Sequence, residues 1–390
     1  MTEAPDTHRT LDQEELAELI ARLQSRGLRT EISMEARKGG AGPADAGMLW
    51  IDGSPATVPT TADYVRDSPY ALRQEDDGFG IYEGSVRLAD AALAPRPKYY
   101  DLKTADGVPY WQIALMHLDS MASTVLQTCA YWGNSDQCTF CGIGVSLAAG
   151  RTIAKKTPEM LAEVSVAARD LDGAVDATLT TGSTATPDRG ALYVGRCAQA
   201  VKEASGLPVQ VQFEPPSDLD VINRVRDMGV DSVGIHVETF DPEVLARVAP
   251  GKARWGIEAY FSAWERAVRV FGEGQVSTYV ILGMGEDPDL TVDMCRRAVD
   301  MGVYPFIVPL RPVPGSLMED ERPPRPRTTS RGSTGRSSRT CCDAGSPPPG
   351  SWRDAHAARR VRGRPPWNVP VLVRRRVGCP MGASLSRSFF

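Results

Sequence analysis

Between positions 122 and 309 the chain alternates short apolar runs with helical patterns, and Gly or Pro marks most junctions. The apolar runs are 122–128, 174–181, 208–213, 232–239, 275–282 and 303–309. The helical patterns are 158–170, 189–205, 219–228, 242–248 with 255–271, and 290–301. Units of this length predict short parallel strands inside and amphipathic helices outside. The expected fold class is α/β, a partial (β/α)6 barrel of the TIM type. Loops that follow the strands then lie on the C-terminal edge of the sheet, where such folds keep their chemistry.

The flanks read differently. Residues 1–120 form an α+β lead-in with no chemical motif. Its helix covers 11–26, with Leu16, Leu19, Ile20 and Leu23 at helical spacing and Asp12, Glu14 and Glu15 in the first turn. A hairpin is expected over 47–60 around Asp52-Gly53. The alternation in 99–118 suggests further strands. Residues 121–320 are the barrel. Residues 321–390 hold fifteen Arg, no Lys and three acids, with much Pro, Ser and Gly, and predict a disordered tail. The switch is abrupt and comes where a last barrel helix should start. Its composition is that of a GC-rich gene read out of frame; an authentic basic tail is the alternative.

The overall charge is −5, but residues 1–320 alone hold 29 basic and 46 acidic side chains. That balance argues against a nucleic-acid surface on the body. No apolar stretch reaches eighteen residues, so no membrane helix is expected, and the polar start lacks a secretory core. A cytoplasmic protein is the expectation.

The eight cysteines of such a chain are not read as a disulfide framework. Cys129, Cys138 and Cys141 stand together as C-x8-C-x2-C, just after the first strand. Three thiolates on one loop can hold three irons of a [4Fe–4S] cube and leave the fourth open to a small molecule. Zinc is the competing reading, with Asp136, His117 or His236 as a fourth ligand. A redox Cys-x-x-Cys would leave Cys129 idle. Cys197 and Cys295 fall in helical patterns and read as packing residues, and Cys341, Cys342 and Cys379 lie in the tail.

Other features gather at the expected strand ends. Thr181-Gly182-Ser183-Thr184 offers free backbone groups and hydroxyls after the second strand, or is an ordinary βα turn. Ile281, Gly283 and Glu286 end the fifth; the glycines permit close approach of a flat ring, and Glu286 is placed to accept turn N–H groups. Glu214 ends the third strand. His236 and Glu238, two apart in the fourth, share one face. Arg311, after the sixth, is a partner for a carboxylate, including Glu214 or Glu238.

Together these residues resemble the radical S-adenosylmethionine (SAM) superfamily over about residues 120–316. The resemblance implies Cys129, Cys138 and Cys141 as cluster ligands and Phe140 as an aromatic near the adenine. It implies Thr181, Gly182, Ser183 and Thr184 at the methionine ammonium. Ile281 and Gly283 resemble the adenine motif, with Tyr279 where that motif has its first Gly. Glu238 resembles the ribose-contacting acid. The usual first cysteine gap is three; eight here resembles the subfamily encoded beside nitrilases in bacterial gene clusters. His236-x-Glu238-Thr239 and Pro312-x-Pro314-Gly315 resemble the biotin synthase branch.

The implied activity is reductive cleavage of SAM by a [4Fe–4S] cluster, giving a 5′-deoxyadenosyl radical that takes hydrogen from a small-molecule substrate. A donor such as flavodoxin or ferredoxin is implied. No residue is read as acting on the substrate itself. The alternatives are a zinc-binding, non-redox barrel protein and an inactive frameshifted variant of the enzyme.

Overall fold

The computed structural model describes residues 11–32, 34 and 46–324. The basic stretch from 325 onward, with Cys341, Cys342 and Cys379, lies outside the described residues.

Helix α1 (Gln13–Arg26) starts at Asp12, whose carboxylate accepts the N–H groups of Glu14 and Glu15, while Glu15 reaches back to the Asp12 N–H. This reciprocal cap satisfies donors that a helix start leaves open. Strands β1 (Ala46–Ile51) and β2 (Ser54–Pro59) form the expected hairpin. Its turn residues Asp52 and Gly53 take φ of 46° and 77°, the left-handed values a two-residue hairpin needs. Strands β3 (Tyr70–Glu75), β4 (Gly78–Glu83) and β5 (Val86–Leu93) complete a five-stranded sheet of order β2-β1-β5-β4-β3. Leu19, Ile20 and Leu23 of α1 pack with Leu49, Ile51, Val58 and Ile81 in its core.

Segment 99–118 departs from expectation. Tyr99 and Tyr100 lie in a 3₁₀ turn with their rings edge to face, and α2 (Tyr110–Ile113) follows Pro109. The only strand there is β6 (Leu115–His117), which pairs antiparallel with β7 (Ser120–Leu126). Aromatic burial and proline helix starts override the weak alternation.

The barrel sheet begins with those two strands. After α3 (Ile143–Ala148) and α4 (Pro158–Asp172) come β8 (Asp176–Thr181), α5 (Ala191–Ser205), β9 (Val209–Gln212), α6 (Asp220–Asp227) and β10 (Ser232–Gly234). Helices α7 (Pro242–Val248), α8 (Pro250–Ala253) and α9 (Ile257–Phe271) precede β11 (Val276–Leu282), α10 (Pro288–Asp300) and β12 (Val303–Pro309). The order is β12-β11-β10-β9-β8-β7-β6, and β7 to β12 run parallel. The expected six-stranded partial barrel is present. Helices α4, α7 and α10 each start at Thr157, Asp241 or Asp287 followed by Pro, a cap and a pre-set first turn.

One face of each strand meets the helices. Ala177, Leu179, Val209, Val211, Val233, Ile235, Val276 and Val280 join Tyr260, Phe261 and Trp264 of α9 in the core. Strand residues alternate faces, so Thr178, Thr180, Gln210, Gln212, His236 and Tyr279 line the concave side. The Thr124–Thr180 hydroxyl contact at 2.8 Å and the His236–Tyr279 ring contact at 5.3 Å agree with that placement. The barrel is thus apolar outward and polar inward.

Candidate active site on the C-terminal strand edge

The cysteine loop leaves β7 and is held on three sides. Ala130 donates its N–H to the Ser183 carbonyl at 2.7 Å, and Gly182 donates to the Leu126 carbonyl at 2.9 Å. A Cβ on Gly182 would stand 2.1 Å from the Thr128 carbonyl oxygen, so only glycine lets the β8 loop lie this close. On the far side Thr139 donates to the Val248 carbonyl at 2.8 Å and Gly251 to the Asp136 carbonyl at 3.2 Å. Behind it, Gln127 Nε2 donates to the Ile143 carbonyl at 3.1 Å.

Cys129, Cys138 and Cys141 are free and half-buried. Cys141 feels both other thiols: Cys129 raises its pKa, and it raises that of Cys138. Burial is the larger cause and lifts Cys138 well above its ordinary range and Cys141 to about 11, against an N–H bond from Ile143. Among the described residues no three His, Cys, Asp or Glu side chains converge as one ion requires. Asp136 is paired with Arg254 at 2.5 Å, and His236 Nδ1 accepts the Tyr279 N–H at 3.1 Å. Three thiols on one loop are the kind of donor set that can hold irons of an iron–sulfur cube.

The insertion Tyr131–Asp136 docks rather than loops freely. The Tyr131 hydroxyl donates to Glu214 Oε2 at 3.0 Å and accepts from Arg189 Nη1 at 2.8 Å. Burial, then Glu214, pushes Tyr131 up to about 12. Arg189 lies 3.6 Å from Glu214 and stacks on the Trp255 ring at 3.7 Å.

Glu238 is buried at φ 69°, a left-handed backbone that a side chain rarely adopts. Its Oε1 meets Lys252 Nζ at 2.6 Å, and Lys252 also donates to the His236 carbonyl at 3.0 Å. Burial alone would pull the Lys252 ammonium down; Glu238, with Tyr260, Glu214 and Cys138, outweighs it and holds the ammonium well above its ordinary value. His236 is pulled down to about 4 by burial, so it is neutral. Its Nδ1 is an acceptor, which puts the proton on Nε2, and Nε2 has no partner among the described residues. The acids of β9 and β10 therefore pair with Arg189 and Lys252, while Arg311 donates to the Thr57 carbonyl at 2.8 Å. Sequence spacing did not bring out Arg189 or Lys252; both sit in stretches that carry only helix and turn signals.

At the end of β11 the Glu286 carboxylate accepts from Gly283 N–H at 2.7 Å and Met284 N–H at 2.8 Å, as expected. Gly283 takes φ 100°, and the Pro324 ring lies against it. Phe140 and Ile281 share one apolar cluster with Cys138, Met284, Leu245 and Val248. Thr181 Oγ1 turns back to the Gly182 carbonyl, and Thr184 binds Thr186.

A loop of three thiols, flanked by the β8 turn, a buried acid of β10 and the β11 turn, is thus gathered on one edge. Residues 133–298 match the family model described as Radical SAM superfamily, a range that includes Cys138 and Cys141. This segment carries a radical SAM domain. The domain supports an enzyme of the radical SAM kind, and proteins of that superfamily use a [4Fe–4S] cluster and SAM. A relative, bacteriochlorophyllide c C-7(1)-hydroxylase of Chlorobaculum limnaeum, is 25% identical over 341 residues, 82% of each chain. Among solved structures, methylornithine synthase is 19% identical over 52% of this chain and 56% of its own, with a TM-score of 0.41. A radical SAM methyltransferase from Sphaerobacter thermophilus is 19% identical over 64% and 69%, with a TM-score of 0.39. The match thus spans little more than half of methylornithine synthase.

Proposed function

We propose that Cys129, Cys138 and Cys141 hold the cluster of this radical SAM enzyme, and that it abstracts hydrogen from a carbon of a small metabolite. The observation that carries the reading is the grouping of three half-buried, unbridged thiols on one loop that is held against the β8 turn. When bound, the cluster and SAM supply a 5′-deoxyadenosyl radical able to attack an unactivated C–H bond. The protein contributes the rest. Thr181 to Thr184 hold the methionine end beside the loop. Phe140, Ile281 and Gly283 form an apolar strip for the adenine, with Pro324 yielding to a ring stacked there. Glu238 meets the ribose. The polar concave face suits a small substrate carrying hydrogen-bonding groups, and it limits water around a reactive centre. A relative named for hydroxylating a carbon supports C–H attack. The long first cysteine gap supports the nitrilase-cluster branch, and an external donor such as flavodoxin or ferredoxin supplies electrons.

The test is anaerobic reconstitution of the full chain with iron and sulfide. About four irons and four sulfides, a band near ~400 nm, and 5′-deoxyadenosine on addition of dithionite and SAM are expected. Cys138→Ala should lose the band and the nucleoside product. A Cys138→Ala protein that keeps full iron and sulfide would overturn the ligand assignment.

A further inference from the structure

Lys252 lies on α8, whose Gly251 is bonded to the Asp136 carbonyl, while Val248 at the end of α7 accepts from Thr139 on the other side of Cys138. The Lys252 side chain is buried, and its ammonium meets Glu238 Oε1 and the His236 carbonyl. Its neighbour Ala253 packs in the same apolar cluster as Cys138. One buried cation thus pairs with the acid assigned to the ribose and sits on the segment packed against the loop that carries two of the sulfurs assigned to the cluster.

We propose that Lys252 is a positioning residue for both bound groups: it fixes the Glu238 carboxylate for SAM, and its charge favours the reduced cluster. The inference rests on the ligand assignment above. Glu238 has a strained backbone, and among the described residues the Lys252 ammonium is the cation that its carboxylate meets, so Lys252 fixes where that carboxylate points. A reduced cluster carries one more negative charge than an oxidised one. A buried cation nearby lowers the energy of the reduced form more than the oxidised form, because little water screens it. Glu238 opposes that effect, so the potential reflects the balance of the pair.

The experiment compares reconstituted holoenzymes, wild type, Lys252→Met, Glu238→Gln and the double variant. Two readouts need no turnover: the midpoint potential, and equilibrium binding of SAM to the oxidised protein. Lys252→Met should shift the one-electron equilibrium about tenfold toward oxidised, about 59 mV lower. It should also weaken SAM binding about tenfold. Glu238→Gln should move the potential in the opposite direction. The double variant removes both charges and restores the fold if the single variant is unstable. Its potential should lie between those of the two single variants, and its SAM affinity should stay low. Equal potentials in wild type and Lys252→Met, at equal iron and sulfide content, overturn the proposal and leave the ligand assignment standing. A double variant with wild-type SAM affinity also overturns it, since the pair would then serve folding alone. Wild-type protein that takes up no cluster defeats the ligand assignment instead.

Discussion

Two buried lysines flank the cysteine loop, and they behave in opposite ways. Lys252, in front, faces a carboxylate and is held well above its ordinary pKa. Lys156, behind, is 1% exposed and among the described residues meets neutral acceptors: the Thr124 carbonyl at 2.8 Å, Gln127 Oε1 at 3.2 Å and Thr152 Oγ1 at 2.5 Å. Burial pulls Lys156 down to about 7. Residue type is the same and both are buried, and the carboxylate beside Lys252 is the largest cause of the opposite sign. The front of the loop packs against a segment that keeps a fixed, paired charge. The back ties strand end to loop through a group that can shed its proton.

Breaking the front pair should have the larger effect on stability. Lys252→Met leaves the buried Glu238 carboxylate without its cation, which costs about 3–5 kcal/mol. Denaturant melts of the cluster-free protein at neutral pH measure this directly. If Glu238 escapes to solvent instead, the loss falls under about 1 kcal/mol, as for an exposed pair, and the contrast between the two lysines disappears.

The back lysine should show itself in the pH dependence. Its folded pKa of about 7 lies below the unfolded value, so above pH 7 the unfolded chain binds more protons at this site than the folded one. Stability should therefore rise with pH, by at most about 1.4 kcal/mol per unit between about 7 and 10.4. Below pH 7 both states are protonated, the penalty of burying the charge is fully present, and this contribution stops changing. Lys156→Met should remove the slope. A wild type whose stability is flat from pH 7 to 9, while Lys156→Met is equally flat, would mean that the ammonium is better solvated than its neighbours suggest.

The repeating period made the barrel readable. A βα unit writes its strand and helix locally, in apolar runs such as 275–282 and in the Thr157-Pro158, Asp241-Pro242 and Asp287-Pro288 helix starts. The cysteine loop and the Glu286 turn were readable for the same reason, since each is built from neighbours in sequence. Strands β3 to β5 were missed because Arg73, Gln74, Asp90 and similar residues break their alternation; one face of that sheet is wet. Arg189 and Lys252 were missed because they gain meaning from partners on other elements, Tyr131 for Arg189 and Glu238 with the His236 carbonyl for Lys252. Segment 99–118 misled because its large side chains are spaced for burial in turns, not along a strand.

The smallest predicted effect serves as the control for both lysines. Asp12 caps α1 in the lead-in, outside the barrel sheet that carries the cysteine loop, and accepts two backbone N–H groups at 3.0 and 2.9 Å. Asp12→Ala should cost about 1 kcal/mol, within the usual range for a lost cap. The bonds lost are local, so the cost should be the same at pH 7.5 and 9.5, where Lys156 titrates. Iron content, SAM affinity and potential should match wild type. A cost that varied with pH across that range would mean that the lead-in senses the charge behind the cysteine loop. The pH slope assigned to Lys156 could not then be read from that residue alone, because folding of the lead-in and of the barrel would be coupled through it.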